Sequence, residues 1–171
     1  MRTFIGIRLD DCINEINSLM DRFRGQDSKA NYTKLNNIHL TLEFLGEIDA
    51  EELRIIEDIF STLDFTEFCI ELFEVTNLRD LIIIKVKENK HLNSLHYKLK
   101  QKLKENGFKL QNRKFFPHIT LARKSNLEID EVISLKSKVN KIYLFHSKRT
   151  SGGLHYIPLL ERKLAKNISN K

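Results

Sequence analysis

His39 and Thr41 lie in the string Ile38-His39-Leu40-Thr41-Leu42-Glu43-Phe44-Leu45, and His118 and Thr120 lie in Pro117-His118-Ile119-Thr120-Leu121-Ala122-Arg123. The tetrapeptide His-x-Thr-Leu thus occurs twice, its histidines 79 positions apart. A chain of this composition contains roughly 0.04 copies by chance, so the repetition demands a reason. Read as a β-strand, each copy alternates faces, with His and Thr on one side and the aliphatic residues on the other. Two such strands facing one another make a site with two imidazoles and two hydroxyls.

Imidazole has an ordinary pKa of about 6.5, so it can give or take a proton near neutrality. Opening a five-membered cyclic phosphodiester with water requires both acts: the attacking oxygen is deprotonated on one side of phosphorus while the leaving oxygen is protonated on the other. One histidine on each opposed strand meets that need without a metal, and the threonine hydroxyls can donate to the non-bridging oxygens. A fixed cation would balance the charge that builds there. Arg123 is the candidate, although in an ideal strand it points away from the His118 face. A bulge or the strand's end at Ala122 would redirect it.

The elements around the motifs repeat as well. Arg2 to Leu9 reads as a strand, followed by an amphipathic helix carrying Cys12, Ile13, Ile16, Leu19, Met20 and Phe23, with Asp10 or Asp11 as N-cap and Gly25 as left-handed C-cap. After the first His-x-Thr strand, Asp49 and Glu52 form a capping box for a second helix. Glu67 to Val75 reads as a strand and Thr76 to Asp80 as a turn. Then the opening pattern returns: a strand at Leu81 to Lys87, a helix marked by Leu92, Leu95, Leu99 and Leu103 and stopped at Asn106-Gly107, and the second His-x-Thr strand. From Ile5 to His39 is 34 positions, and from Ile82 to His118 is 36. Strand, helix, His-x-Thr strand occurring twice is the signature of internal duplication. In the tail, Asp130 to Lys138 reads as a short helix, Val139 to His146 and Leu154 to Leu160 as strands around a Ser151-Gly152-Gly153 turn, and Lys163 to Lys171 as a frayed terminus.

Bulk properties set the limits. At 171 residues there is room for one sizeable core shared by two lobes. A chain 41% hydrophobic and 30% charged is globular in composition. The longest apolar run is Leu81-Ile82-Ile83-Ile84, and the amino terminus has no signal-peptide pattern, so a cytoplasmic protein with no membrane association is expected. The net charge of +6 and pI near 9.3 favour a polyanionic partner without selecting one. Cys12 and Cys69 are isolated and read as reduced core residues. His91, His96, His146 and His155 read as surface or packing residues.

The wider strings, Asn37 to Gly46 and Phe116 to Arg123, together with the order of elements, resemble the two-histidine phosphoesterase superfamily. More narrowly they resemble its bacterial and archaeal RNA 2′,3′-cyclic phosphodiesterases, also called 2′-5′ RNA ligases, over nearly the whole chain. That resemblance implies an α+β fold, duplicated and bilobal, with two antiparallel sheets facing a central V-shaped cleft and helices on the outside. It implies a single two-lobed domain spanning 1–171, working as a monomer on RNA or oligonucleotide ends that carry a cyclic phosphate, with no cofactor and no metal. By the same resemblance His39 is the general acid on the departing 3′ oxygen and His118 the general base on water. Thr41, Thr120 and Arg123 bind phosphate, and the product is a 2′-phosphate. Two alternatives stand beside it: action on 2′-5′ linked oligonucleotides or small cyclic nucleotides, and a non-catalytic RNA-end binding module. Tyr32 stands where many relatives carry Trp, which leaves the partner of the terminal base unassigned, and Ser147 and Tyr156 carry no assigned role.

Overall fold

The computed structural model describes residues 1–168. Nine strands and three α-helices alternate along them: β1 (Arg2–Ile7), α1 (Ile13–Gln26), β2 (Asn31–Tyr32), β3 (Leu40–Glu47), α2 (Ala50–Thr62), β4 (Phe68–Leu78), β5 (Leu81–Val86), α3 (Lys90–Glu105), β6 (His118–Arg123), β7 (Asp130–Val139), β8 (Lys141–Thr150) and β9 (Gly153–Lys163). The strands follow the order β7-β4-β5-β6-β3-β1-β8-β9, every pairing between them is antiparallel, and β2 adds to β6. Among the described residues, two four-stranded flanks, β6-β5-β4-β7 and β3-β1-β8-β9, are therefore joined in the sheet where the His-x-Thr strands meet, at the pair Leu40↔Ile119. The chain is α+β as expected, but in place of two separate antiparallel sheets its strands form one continuous sheet, because Leu40 pairs with Ile119.

Each helix is held by the spacing that its sequence shows. Ile16, Leu19, Met20 and Phe23 are buried on α1, Ile56, Ile59 and Phe60 on α2, and Leu92, Leu95, Leu99 and Leu103 on α3. These side chains form one core with Leu40, Leu42, Ile119 and Leu121, the aliphatic faces of the two motif strands. The capping box of α2 is present, with Asp49 Oδ1 accepting from the Glu52 amide at 2.8 Å and Glu52 Oε2 from the Asp49 amide at 2.9 Å. At the end of α3, Gly107 takes a φ of 88°; its amide donates to Lys104 and that of Phe108 to Leu103, a Schellman closure. The opposite face of the sheet carries a smaller cluster, Phe4, Tyr143 and Phe145, against which Tyr156 packs.

Several expectations are corrected. The stretch Asp130 to Lys138 is strand β7 rather than a helix, because Glu131, Ile133, Leu135, Ser137 and Val139 repeat with period two and are less exposed than the residues between them. A 3₁₀ turn at Asp10–Cys12 opens α1 without a side-chain cap, and Asp11 instead accepts from the Lys138 amide of β7 at 2.7 Å. Gly25 lies within α1, whose closure is made by the Asp27 amide donating to Phe23 at 2.8 Å. Cys12 is buried as expected, but Cys69 is exposed. Beyond β9 the chain stays attached: Leu164 is buried and Ala165 bridges to Thr66. The remainder of the expected frayed segment, 169–171, lies outside the described residues.

Candidate active site

Antiparallel pairing at Leu40↔Ile119 fixes how the two motifs meet. Continuing that register by one residue either way sets His39 opposite Thr120 and His118 opposite Thr41. In a regular ladder the two histidines would then be diagonal neighbours on the order of 7–8 Å apart, their Cβ atoms somewhat closer, and His118 is near enough to act on His39 electrostatically. Leu40 and Ile119 are fully buried, whereas His39, Thr41, His118 and Thr120 are partly exposed on the other face. The alternation read from the sequence is the one observed.

Both rings are oriented by the same device. Nδ1 of His39 lies 2.7 Å from the carbonyl oxygen of Asn37, and Nδ1 of His118 lies 2.7 Å from that of Phe116, in each case two residues upstream. A carbonyl can only accept, so Nδ1 carries the proton and the neutral ring presents the Nε2 lone pair. For His39, Thr41 Oγ1 lies 3.0 Å from Nε2. Pro117, just before β6, has no amide to satisfy at the strand's start.

Asn37 does more than lend its carbonyl. It ends a 3₁₀ turn, Leu35–Asn37, and is buried. Its side-chain Nδ2 donates to Leu154 at 2.8 Å and its Oδ1 accepts from the Tyr156 amide at 3.2 Å, so the residue acts as one more rung on β9. Tyr156, held at that rung, meets the His39 ring edge-on at 5.0 Å, and Phe4 packs at 4.7 Å. Replacing Asn37 by alanine should free the turn that orients His39. We expect kcat to fall about tenfold with KM changed less, because a misplaced catalytic group is felt most in the reaction step. Steady-state kinetics beside a thermal melt would check this, since a fold defect lowers both.

Bulges then decide which later residues join the face. The β1–β3 ladder pairs Ile5 with Glu43 and Gly6 with Thr41, leaving Leu42 as an extra residue. The β5–β6 ladder pairs Ile82 with Ala122 and Ile83 with Thr120, leaving Leu121 extra. In both strands the insertion falls three residues after the histidine and resets the alternation. Glu43 and Ala122 turn toward the core, and the fifth residue after each histidine returns to the histidine face. In β3 that residue is Phe44, 59% exposed, and in β6 it is Arg123. A bulge is what the sequence says Arg123 needs, whereas strict alternation misses Phe44 by putting Glu43 in its place. The matching offset of five from each histidine is the signal available.

The electrostatics agree with this placement. Burial lowers the His39 imidazole to about 4; the Asn37 carbonyl opposes that fall, while the nearby His118 and Arg123 add to it. Burial raises the Tyr156 phenol, against the pull of Arg123, Arg2 and Arg149. Arg123 thus acts on both His39 and Tyr156, while Arg2 and Arg149 act on Tyr156. Tyr32, by contrast, packs against the core and donates to the Asp27 carbonyl at 2.7 Å.

A second imidazole is also held neutral. His96 of α3 stacks on Phe115 with centroids 4.0 Å apart, and burial lowers it to about 4. Between their ordinary 6.5 and about 4, the unfolded chain binds more protons at His39 and His96 than the folded one. Stability therefore falls as pH is lowered through that window. Denaturant midpoints measured at pH 7.5, 5.5 and 4.5 should decrease in that order, and the His39→Gln/His96→Gln double variant should flatten the slope.

Residues 7–79 and 84–154 match the model of the LigT-like phosphoesterase family. The RNA 2′,3′-cyclic phosphodiesterase of Archaeoglobus fulgidus is 30% identical over 141 residues, 78% of this chain and 79% of that protein. That of Thermotoga maritima is 28% identical over 131 residues, 72% and 70% of the two chains. Among solved structures, TT0787 of Thermus thermophilus superposes with a TM-score of 0.87 at 21% identity, covering 98% of this chain and 100% of the other. Escherichia coli LigT complexed with 3′-AMP gives 0.82 at 24% identity, covering 95% and 97%. These two likenesses are likenesses of fold.

Proposed function

The chain belongs to the LigT-like phosphoesterase family, and from that membership and the site above we propose that it hydrolyses RNA 2′,3′-cyclic phosphate ends to 2′-phosphates by metal-independent acid-base catalysis. The observation that carries the reading is the matched pair of imidazoles, each with Nδ1 bound to the carbonyl two residues upstream, flanking the one pair that joins β3 to β6. A proton acceptor and a proton donor on either side of one centre are what in-line displacement at phosphorus requires.

In this reading water attacks phosphorus as His118 Nε2 takes its proton. The bond from phosphorus to the 3′ oxygen breaks, and His39 delivers a proton from Nε2 to that oxygen. One water is consumed, and both imidazoles exchange their protons with solvent before the next turnover. Thr41 and Thr120 donate to the non-bridging oxygens, and Arg123 offsets their charge. Because the free His39 is neutral near pH 7, its acid role draws on the substrate: an anionic phosphodiester beside the ring favours the imidazolium. The exposed ring of Phe44 offers the terminal base a stacking surface.

We read the two flanks as duplicated lobes of a single domain around one cleft, acting as a monomer. Each flank begins with a His-x-Thr strand, each such strand carries its bulge at the same offset, and each neighbours the strand that opens its half of the chain. Among the described residues no helix is long and apolar enough to cross a membrane.

The test is turnover of an oligonucleotide with a 2′,3′-cyclic end in the presence of EDTA, beside a 2′-5′ linked oligonucleotide of the same sequence. Rapid hydrolysis of the first, with slow or no reaction of the second, supports the reading. The reverse preference would move the substrate to 2′-5′ linkages. Binding without turnover of either would leave an RNA-end binding module.

A further inference from the structure

Behind the Asn37 and Tyr156 contacts of His39 lies a cavity of about 570 Å³ that the proposed reaction does not use, a size within the range of small-ligand sites. Its wall runs from Arg8 and Asp10 after β1, across Asn36 and Asn37, to His155 and Tyr156 of β9. Two of these residues also orient the candidate acid. The Asn37 carbonyl binds the His39 ring, and Tyr156 packs edge-on against it. A ligand in the cavity is therefore one residue away from the reacting centre.

Arg8 gives the cavity its chemistry. Its guanidinium lies over the rings of Tyr143 at 4.8 Å and Phe145 at 5.3 Å. Among the described residues that guanidinium has no hydrogen bond or ion pair, so its five donors are uncommitted. A guanidinium fixed by stacking and left without a counter-ion is arranged in advance for an oxyanion. Asp10 is the one carboxylate of the wall and would repel a bare anion. The fitting ligand thus combines a phosphate with a body that offers hydrogen-bond donors, as a nucleoside does with its ribose hydroxyl and base.

We propose that this cavity is a second nucleotide subsite, taking the nucleoside on the 5′ side of the reacting terminal nucleotide, with the linking phosphodiester on Arg8. The proposal rests on the phosphodiesterase reading. It makes RNA ends, rather than mononucleotides, the preferred substrates, because only a chain extending from the reacting nucleotide reaches both places.

The experiment compares kcat/KM on a mononucleoside 2′,3′-cyclic phosphate with that on a dinucleotide ending in the same cyclic nucleotide. The wild type should favour the dinucleotide about tenfold or more, the scale of a charge-assisted contact. Arg8→Ala should remove most of that preference and Arg8→Lys part of it, with mononucleotide turnover unchanged within about twofold for both. Equal treatment of the two substrates by the wild type would overturn the subsite, as would proportional loss on both in the two variants. If the wild type hydrolyses neither, the phosphodiesterase reading fails. The subsite is then judged by anisotropy with a fluorescent dinucleotide 2′-phosphate: binding weakened about tenfold in Arg8→Ala and less in Arg8→Lys supports it, and equal or absent binding overturns it.

Discussion

Replacing either His39 or His118 by alanine is expected to lower kcat on a cyclic-phosphate oligonucleotide about 10²–10⁴-fold, the usual contribution of a positioned proton-transfer group. The structure makes the two losses separable from folding defects. His118 is partly exposed at the start of β6 and its ring bonds only to the Phe116 carbonyl, so its removal leaves the core intact. His39 is packed more closely, against Phe4 and Tyr156, and His39→Gln is the better control because it keeps volume and a polar end. The double variant should be little worse than either single one, since an acid and a base that act in one step are lost together. Rapid-quench or steady-state assays of the three variants would show this. Multiplying losses would mean that the residues act independently.

Arg123→Ala carries the next largest effect, about 10²–10³-fold in kcat, as expected of a charge set against the non-bridging oxygens while negative charge builds on them. The reason lies in the backbone. Without the extra residue at Leu121, Arg123 would point to the core side of β6, where Ile119 and Leu121 are fully buried. With it, the guanidinium is close enough to depress the His39 and Tyr156 sites electrostatically. Arg123→Lys should recover only part of the rate, because an ammonium lacks the planar fork. A change within about threefold for Arg123→Ala would return it to the ordinary surface arginines.

The pattern of the candidate site is legible because it depends on period-two alternation next to a repeated tetrapeptide, and both are local. His39, Thr41, His118 and Thr120 needed nothing else to be placed on one face. The helices were legible for the same kind of reason: Leu92, Leu95, Leu99 and Leu103 mark α3 by spacing alone. Where the reading failed, a distant partner decided the outcome. Asp130 to Lys138 carries a strand's period-two pattern among exposed polar residues, and the pattern takes effect because β4 offers an edge to pair with. Asp11 leaves the helix start to bond β7 for the same reason. Phe44 and the redirected Arg123 depend on bulges, which are set by neighbouring strands and show in the sequence only as the shared offset of five from each histidine. The Asn37 rung and the Arg8 cavity both require β9, far along the chain from either residue.

The central claim is that two imidazoles flank one phosphorus, His39 on the side of the departing 3′ oxygen and His118 on the side of water. It is tested most directly by identifying the phosphate regioisomer that the wild-type protein makes from an oligonucleotide 2′,3′-cyclic phosphate in EDTA, using ³¹P NMR or phosphatase-coupled chromatography. A 2′-phosphate is expected as the sole product. A 3′-phosphate, or a reaction that stops when metal is chelated, would contradict it.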